Sequence, residues 1–200
     1  MSITEFKYFF PEKPRLMNIK QPFFQTMSDS KQWVAERKYN GTRLQLHCLN
    51  GAFQFWNRHE SELDYRPSPE LREELNALPL PSGYCLFDGE LRHNKTAGVY
   101  HKIMLYDVFI WKNELLVDKP FWYRRNLLKS IVLCGGEPVG TPEQFPDNFQ
   151  AAFDKVTAEG DEIEGLVMKN MNGMLQLGRM AGIDSKWMYK VRKPSGRYRF

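Results

Sequence analysis

The sequence predicts an α+β fold in which antiparallel sheets and flanking helices form a cleft. Two observations support this prediction. Several short segments either alternate apolar and polar residues or run continuously apolar, and turn signals bound them, as is typical of β-strands. Between these segments lie stretches with helical periodicity and recognisable start signals. The length of 200 residues suits one ordinary domain, or one domain with a small appendage.

The composition is that of a globular chain. Apolar residues make up 42% and aromatic residues 14%, which is ample for a core. The formal net charge of +4 is mildly basic and does not by itself establish nucleic-acid binding. The three cysteines, Cys48, Cys85 and Cys134, lie in apolar runs without metal-ligand spacing, so we expect buried small hydrophobes and a reducing, cytoplasmic location. No signal-peptide pattern and no apolar run near 20 residues is present, so we expect no membrane partner.

The first 32 residues are rich in proline, phenylalanine and lysine and show little periodicity. They predict an N-terminal cover with a short helix near residues 28–33. Their methionine, phenylalanine and proline side chains are expected to pack on the domain rather than to bind a ligand.

A single lysine after the first predicted strand is a candidate for chemistry. Residues 33–36 alternate apolar and polar, and residues 42–48 alternate again beyond an Asn-Gly turn signal. The pattern predicts a β-hairpin with Lys38 just before its bend. Burial or neighbouring cations can lower the pKa of a lysine and expose its lone pair, and arginines flank this one on both sides. The alternative is a solvated lysine at the end of a strand.

The next segments predict a strand, a helix and a second strand with acidic residues. Residues 52–56 predict the strand, and residues 69–78 predict a helix with a serine N-cap and proline at its first position. Residues 84–91 form an apolar strand on which Asp88 and Glu90 share one face. Paired acids on such a strand would bind a cation, a metal or ligand hydroxyls, unless they are solvated acids at a turn.

An almost continuous apolar run over residues 102–111 predicts a central strand that is buried on both faces. Asp107 interrupts this run and needs a partner for its charge. Tyr106 is either ordinary core or a ring offered to a flat ligand.

Two helices are predicted in the second half of the chain. Residues 118–132 are amphipathic, with Asp118 as cap and a proline in the first turn, and a pair of glycines ends the pattern. Residues 147–159 predict another helix that a glycine ends. We expect Arg124 and Arg125 on the solvent face of the first helix.

Two further segments combine apolar residues with charges. Residues 162–169 place a Glu-Gly turn before an apolar strand that ends at Lys169. Residues 189–193 predict a strand on which Lys190 and Arg192 share a face, which suits phosphate binding. The alternative for this second segment is a basic strand on the surface.

Five segments, taken in order, resemble the motifs of the covalent nucleotidyltransferases, which comprise ATP-dependent DNA ligases, RNA ligases and mRNA capping enzymes. The segments are Lys-Tyr-Asn-Gly-Thr-Arg at 38–43 (motif I), Phe-Asp-Gly-Glu-Leu at 87–91 (III), Tyr-Asp at 106–107 (IIIa), Glu-Gly-Leu-Val-Met-Lys at 164–169 (IV) and Lys-Val-Arg at 190–192 (V). The wording of motif IV and the tryptophan near motif V resemble the DNA ligases, especially the small phage-type ones.

The resemblance implies the catalytic-domain fold of DNA ligases and capping enzymes, an ATP-grasp-like α+β architecture with a nucleotide cleft. It implies that Lys38 attacks the α-phosphate of ATP to form lysyl-AMP, that Tyr106 stacks on adenine and that Glu164 coordinates Mg²⁺ or Mn²⁺. The other residues implied in nucleotide binding are Glu36 near the adenine amino group, Arg43 and Arg58 at ribose or phosphate, Glu90 with Asp88 at the ribose hydroxyls, and Lys169, Lys190 and Arg192 at phosphate.

The implied activity is ATP-dependent sealing of nicked DNA, in repair or replication, with RNA ends as the alternative substrate. A catalytically weak nucleic-acid-binding domain that keeps the fold is a hypothesis of a different class. Beyond motif V, we expect Lys193, Arg197 and Arg199 on the backbone of the nucleic acid. We also expect one nucleotidyltransferase domain over residues 1–200, a monomer, with no C-terminal OB domain and with a possible OB-type partner in its place.

One position departs from the motifs. Motif I usually has aspartate where this chain has Asn40. The loss of an anion removes one stabiliser of protonated lysine, so Lys38 is either easier to deprotonate, or the activity is weaker, or the substrate differs.

Overall fold

The computed structural model of the chain describes residues 8–17, 21–178 and 183–194. Within these ranges it has four helices and thirteen strands. The helices are α1 (Gln21–Ser30), α2 (Pro69–Ala77), α3 (Phe121–Lys129) and α4 (Phe149–Thr157). The strands are β1 (Phe10–Pro11), β2 (Lys13–Leu16), β3 (Trp33–Tyr39), β4 (Thr42–Leu49), β5 (Ala52–Trp56), β6 (Tyr84–Arg92), β7 (Lys102–Trp111), β8 (Glu114–Leu115), β9 (Val139–Gly140), β10 (Gln144–Phe145), β11 (Ile163–Asn170), β12 (Leu177–Gly178) and β13 (Asp184–Arg192).

Two sheets form the body of the domain, as the predicted α+β fold requires. The five-stranded sheet has the order β10-β3-β11-β13-β2. The six-stranded sheet has the order β5-β4-β6-β7-β8, with β9 paired to β7. Strand pairs in both sheets are antiparallel except β2 with β13 and β9 with β7. The small pair β1 and β12 forms a third, two-stranded sheet.

Each large sheet buries one face under helices and turns the other towards the cleft. The helix-covered face of the five-stranded sheet presents Ala35, Leu166 and Met168 to Phe153 and Val156 of α4. The helix-covered face of the six-stranded sheet packs in a second cluster with residues of α2 and α3, whose members include Leu44, Leu46, Phe87, Leu105, Leu71, Leu75 and Leu128. Because apolar residues on one face alternate with residues on the other, the cleft-facing positions of both sheets can carry charge.

The predicted hairpin around Lys38 is wrong. Strand β3 lies in the five-stranded sheet and β4 lies in the six-stranded sheet, so the Asn-Gly link carries the chain between sheets. The Asn40 N–H donates to the carbonyl of Glu162 at 2.8 Å. A Cβ on Gly41 would lie 2.6 Å from Cγ of Glu90, which leaves no room for a side chain. The link therefore places motif I residues on both walls of the cleft.

The structure contains the helices that the sequence predicts, but most of their limits differ from the predicted ones. Helix α2 begins as predicted, with Ser68 Oγ accepting from the N–H of Leu71 at 3.2 Å. Helix α1 lies earlier than predicted, before rather than across the first residues of β3. Helices α3 and α4 are both shorter than predicted. The N-cap of α3 is Pro120, while Asp118 pairs with Lys119 instead of capping.

The predicted exposure of Arg124 and Arg125 is also wrong, because both side chains are buried. Arg124 forms a bidentate ion pair with Asp107, at 2.7 Å from Nε and 2.9 Å from Nη2. The acid that interrupts the central strand thus receives its partner from α3. Arg125 donates to the hydroxyl of Thr141 and to the carbonyl of Pro142.

The cysteine prediction is confirmed at two positions and wrong at the third. Cys48 and Cys85 are buried as expected, whereas Cys134 is exposed in the turn that follows α3. All three thiols are free. Over the three described ranges, no helix is long and apolar enough to cross a membrane.

Candidate active site

The register of the five-stranded sheet brings charged residues together on its cleft face. Lys38 of β3 lies opposite Gly165 of β11, which lies opposite Arg192 of β13. Two residues further along β11, Val167 lies opposite Glu36 of β3 and opposite Lys190 of β13. Since paired residues on neighbouring strands share a face, all four charged side chains are directed to the cleft.

Strand β11 contains an irregularity that directs Glu164 towards Lys38. The register shifts between Ile163 and Gly165, so Glu164 has no opposite residue on β3. Such a bulge re-aims a side chain. The Glu164 carboxylate forms an ion pair with Lys38 Nζ, and Arg192 Nε lies 3.6 Å from the same oxygen. The candidate nucleophile therefore sits beside one carboxylate and one guanidinium.

The opposite wall belongs to the six-stranded sheet. Arg43 donates to both carboxylate oxygens of Asp88 at 2.5 Å each, and Asp88 is buried. Glu90 lies opposite Arg43 and faces the cleft. Burial raises the pKa of Glu90 to about 7, although Lys38 and Arg43 act in the opposite direction. Asp88 thus positions Arg43, and Glu90 is the carboxyl group on this wall that is available to bind a ligand.

A second bulge turns Tyr106 towards the cleft. Asp88 pairs with Asp107, and the next residue of β6 pairs with Leu105, so Tyr106 is the extra residue on β7. Its half-buried ring lines the cleft. Burial holds the pKa of the Tyr106 hydroxyl well above its ordinary value, so the ring stays neutral. A neutral ring in a cleft is suited to stacking on a flat base.

One end of the cleft is formed by a buried network around Glu36, which is 1% exposed. Its carboxylate accepts from Gln144 Nε2 at 2.9 Å and pairs with Lys169 Nζ at 2.7 Å. Lys169 Nζ also lies 3.3 Å from the carbonyl oxygen of Tyr106. These contacts group Lys169 with Glu36 and Tyr106, and they give no support to the phosphate contact predicted for it.

Gln144 and Arg125 are residues of this network that the sequence analysis missed. Arg125 Nε lies 3.6 Å from the Glu36 carboxylate. A signal existed for the arginine: Phe121, Arg124, Arg125 and Leu128 occupy the spacing of one buried helical face. No local pattern distinguishes Gln144, because only its pairing across to Glu36 gives it a role.

Asn40 has contacts that aspartate could not make. Its side-chain amide donates to the hydroxyl of Thr96 and to the carbonyl of Asp161, both at 3.3 Å. A carboxylate has no N–H to donate. The asparagine in motif I thus ties the crossing between the sheets to two neighbouring loops.

The remaining predicted residues form no ion pair with the groups around Lys38 or lie outside the residues that the structure describes. Arg58 is exposed in the turn after β5 and lines the cleft. Lys193 Nζ donates to the carbonyls of Glu159 and Gly160 at 2.8 Å, just beyond the end of α4, which gives no support to a nucleic-acid contact. The other two residues of the predicted nucleic-acid set, Arg197 and Arg199, lie outside the described residues.

The cleft has a volume of about 790 Å³, which is of the size that small-molecule ligands occupy. In the part of the chain that the structure describes, no three His, Cys, Asp or Glu side chains are grouped to hold a metal. Mg²⁺ commonly binds one or two carboxylates together with substrate phosphates. Glu164 supplies such a carboxylate, so the site fits a metal that arrives with a phosphorylated ligand.

Comparison with known proteins shows which proteins this chain resembles. Residues 14–99 match the family model of the ATP dependent DNA ligase domain. This segment is therefore similar to that domain, and it contains the motif I and motif III residues. Over 184 residues the chain is 24% identical to the DNA ligase of monkeypox virus, covering 78% of this chain and 31% of that protein. It is 27% identical over 154 residues to the DNA ligase of Methanococcus vannielii, covering 66% and 26%. The chain thus spans about a third or less of the length of these relatives.

Solved ligase structures share the fold of this domain. A mycobacterial DNA ligase D complexed with ATP and MES superposes with a TM-score of 0.64 at 20% identity, covering 90% of this chain and 60% of that one. The ligase domain of LigD from M. tuberculosis gives a TM-score of 0.61 at 22% identity, covering 90% and 58%. The α+β fold predicted from the sequence is therefore the fold of DNA ligase nucleotidyltransferase domains.

Proposed function

We propose that this domain carries out the nucleotidyl-transfer steps of an ATP-dependent ligase that seals nicks in DNA. The observation that carries the proposal is the placement of Lys38. Its amine lies beside Glu164 and Arg192 on one wall of the cleft, opposite Arg43 and Glu90 on the other wall. An amine nucleophile thus lies in a cleft where cations can hold phosphate and a carboxylate can accept hydrogen bonds from hydroxyls.

In the first step, Lys38 Nζ forms a bond to the α-phosphorus of ATP, and the bond from that phosphorus to the pyrophosphate oxygen breaks. The amine must first lose a proton to solvent, because only the neutral amine has a lone pair to offer the phosphorus. Arg192 and Lys190 stabilise the charge on the phosphates as the pyrophosphate leaves. The product is a lysyl-AMP phosphoramidate on Lys38.

In the second step, a 5′-phosphate oxygen at the nick attacks the phosphorus of lysyl-AMP, and Lys38 Nζ leaves with a proton. Displacement of AMP by the neighbouring 3′-hydroxyl then closes the strand. The relatives named as DNA ligases support DNA, rather than RNA ends, as the substrate. DNA repair or replication is the setting that such an activity would serve.

The nucleotide would lie with its base between Tyr106 and the Glu36 network. The Glu36 carboxylate would accept a hydrogen bond from the exocyclic amine of adenine. The Glu90 carboxylate would accept hydrogen bonds from the ribose hydroxyls, with Arg43 beside it. Mg²⁺ or Mn²⁺ bound through Glu164 and the phosphates would supply further charge neutralisation. A monomeric state and an OB-type partner domain stay predictions.

The test is incubation of the protein with α-labelled ATP and Mg²⁺, followed by detection of label on the protein. The wild type should retain label, whereas Lys38→Ala and Lys38→Arg should retain none, because neither provides a deprotonated amine at this position. Lys102→Ala is the matched control, since this half-buried lysine is paired with Glu137 and does not line the cleft. Retention of label at the wild-type level by Lys38→Ala would contradict the assignment of the nucleophile.

A further inference from the structure

The cleft is lined by more basic residues than acidic ones. Nine basic and six acidic residues line it, an excess of three positive charges. Five of the basic residues form ion pairs with carboxylates, namely Arg37, Lys38, Arg43, Lys169 and Arg192. The remaining four are Lys13, Arg58, Lys95 and Lys190, which form no ion pair with any acid in the described ranges. The motif resemblance gives roles to Arg58 and Lys190 and leaves two lysines without one.

Lys13 extends the row of cations on the five-stranded sheet to the edge of that sheet. It lies on β2, the edge strand next to β13, and its N–H donates to the carbonyl of Ile183 at 2.8 Å. The side chain is exposed. Asp184 is opposite in register, yet the two side chains form no ion pair. The backbone of Lys13 is therefore fixed while its ammonium group remains available at the rim of the cleft.

Lys95 occupies the rim on the side of the six-stranded sheet. It lies in the loop of residues 93–101 that joins β6 to β7, and its side chain is exposed. Thr96 accepts from the Asn40 amide, and Tyr65 bonds to a ring nitrogen of His101 at 2.8 Å. The loop that carries Lys95 is thus tied to the crossing next to Lys38 and to the segment before α2.

Several like charges near one another indicate a multiply charged anion. Lys38 and Arg192 share one neighbouring acid, Glu164, and Lys190 lies on the same face of the sheet without an ion pair of its own in the described part of the chain. Burial, Arg192 and Lys38 lower the pKa of Lys190, and Lys13 acts in the same direction. The repulsion between these cations falls when phosphate oxygens bind among them. A triphosphate would occupy the inner cations, while the outer two lysines are placed to contact a larger phosphate chain.

We propose that Lys13 and Lys95, the mouth lysines, contact backbone phosphates of the nicked polynucleotide when its 5′-phosphate approaches lysyl-AMP. This inference rests on the nick-sealing function proposed above and adds its second substrate to the same cleft. It places the backbone contacts at the two rims of the cleft, in contrast to the basic tail after motif V, whose Lys193 is engaged at the end of α4.

The experiment compares the wild type with Lys13→Ala, Lys95→Ala and the double variant on a nicked DNA duplex. Each lost phosphate contact on a duplex reduces the slope of log affinity against log salt by about 0.9. We therefore expect a loss of about 0.9 in slope for each single variant and about 1.8 for the double variant. Lysyl-AMP formation with ATP should be unchanged, while AMP transfer from lysyl-AMP to the nick should slow at raised salt.

Lys31→Ala and Lys102→Ala are matched controls, because these lysines pair with Asp147 and Glu137. Equal slope losses in the controls would show a general effect of net charge and overturn the inference. An unchanged slope in the double variant would also overturn it. So would a loss of lysyl-AMP formation with nick binding intact, because that result would assign the two lysines to ATP binding. If the wild type forms no lysyl-AMP, the proposed function fails, and the nick-binding slopes still decide the role of the mouth lysines.

Discussion

At the scale of single residues, Glu90 is the group whose chemistry is most altered by its surroundings. Its carboxylate is partly buried between the sheets, and burial raises its pKa to about 7 from an ordinary value of 4.5. Lys38 and Arg43 oppose this shift without cancelling it. The folded protein therefore holds a proton on Glu90 that the unfolded chain has already released between these two pH values.

This shift predicts a specific pH dependence of stability. Because the folded state binds the extra proton, the Glu90 contribution to the free energy of unfolding falls as pH rises from about 4.5 to about 7. Glu90→Gln removes the titrating group, so the variant should become more stable relative to wild type over that window. Denaturant titrations at intervals from pH 5 to pH 8 measure the difference.

Mutation of Lys38 should also change the pH dependence that Glu90 causes. Removal of this cation removes one of the charges that hold the Glu90 pKa down, so Lys38→Ala should move the window to higher pH. A difference between wild type and Glu90→Gln that stays constant from pH 5 to pH 8 would contradict the raised pKa.

At the scale of elements, strand β11 depends on Gly165. The residue has a φ of +143° and lies opposite both Lys38 and Arg192. A Cβ there would lie 2.0 Å from the carbonyl oxygen of Val191 on β13. The glycine thus allows close strand pairing beside the bulge that directs Glu164 to the nucleophile.

Gly165→Ala should therefore destabilise the domain by about 3 kcal/mol or more, because unfavourable backbone conformation and overpacking add. Gly160→Ala is a suitable control, since a Cβ at that position would have no atom within 4 Å. Equilibrium unfolding of the two variants tests the prediction. Equal small losses in both proteins would show that β13 can move away at little cost.

At the scale of the whole molecule, α3 joins the two sheets at the base of the cleft. Arg124 neutralises Asp107 of the six-stranded sheet, while Arg125 lies next to Glu36 of the five-stranded sheet. Both arginines are almost completely buried. The relative placement of the two walls, and so of Lys38 and Tyr106, depends on these buried charges.

Truncation of one partner of a buried pair leaves the other charge uncompensated. Arg124→Ala should accordingly destabilise the domain by about 3–5 kcal/mol. Lys129→Ala on the same helix, where the side chain is exposed, should change stability by less than about 0.5 kcal/mol. Combining Arg124→Met with Asp107→Leu should recover much of the loss, since no unpaired charge then remains. Unfolding free energies in denaturant test all three variants, and a loss under about 1 kcal/mol for Arg124→Ala would contradict the structural role.

The sequence by itself determined the local elements and the order of the motifs. Alternation, apolar runs and capping residues act over a few neighbouring positions, which is why β4, β5, β6, β7 and α2 were predicted with nearly their observed limits. The shared face of Lys190 and Arg192 follows from the period of a strand. The resemblance of the five motifs then predicted the fold that comparison with ligase structures confirmed.

Only the tertiary structure decided how these elements meet. An Asn-Gly pair is compatible with a hairpin or with a crossing between sheets, and long-range pairing of β3 with β11 selected the crossing. The bulges at Glu164 and Tyr106 exist only through register with other strands. Arg124 and Arg125 are buried because distant acids, Asp107 and Glu36, lie within reach of α3. Desolvation of a charge is offset only by its partner in space, and no local pattern of residues contains that information.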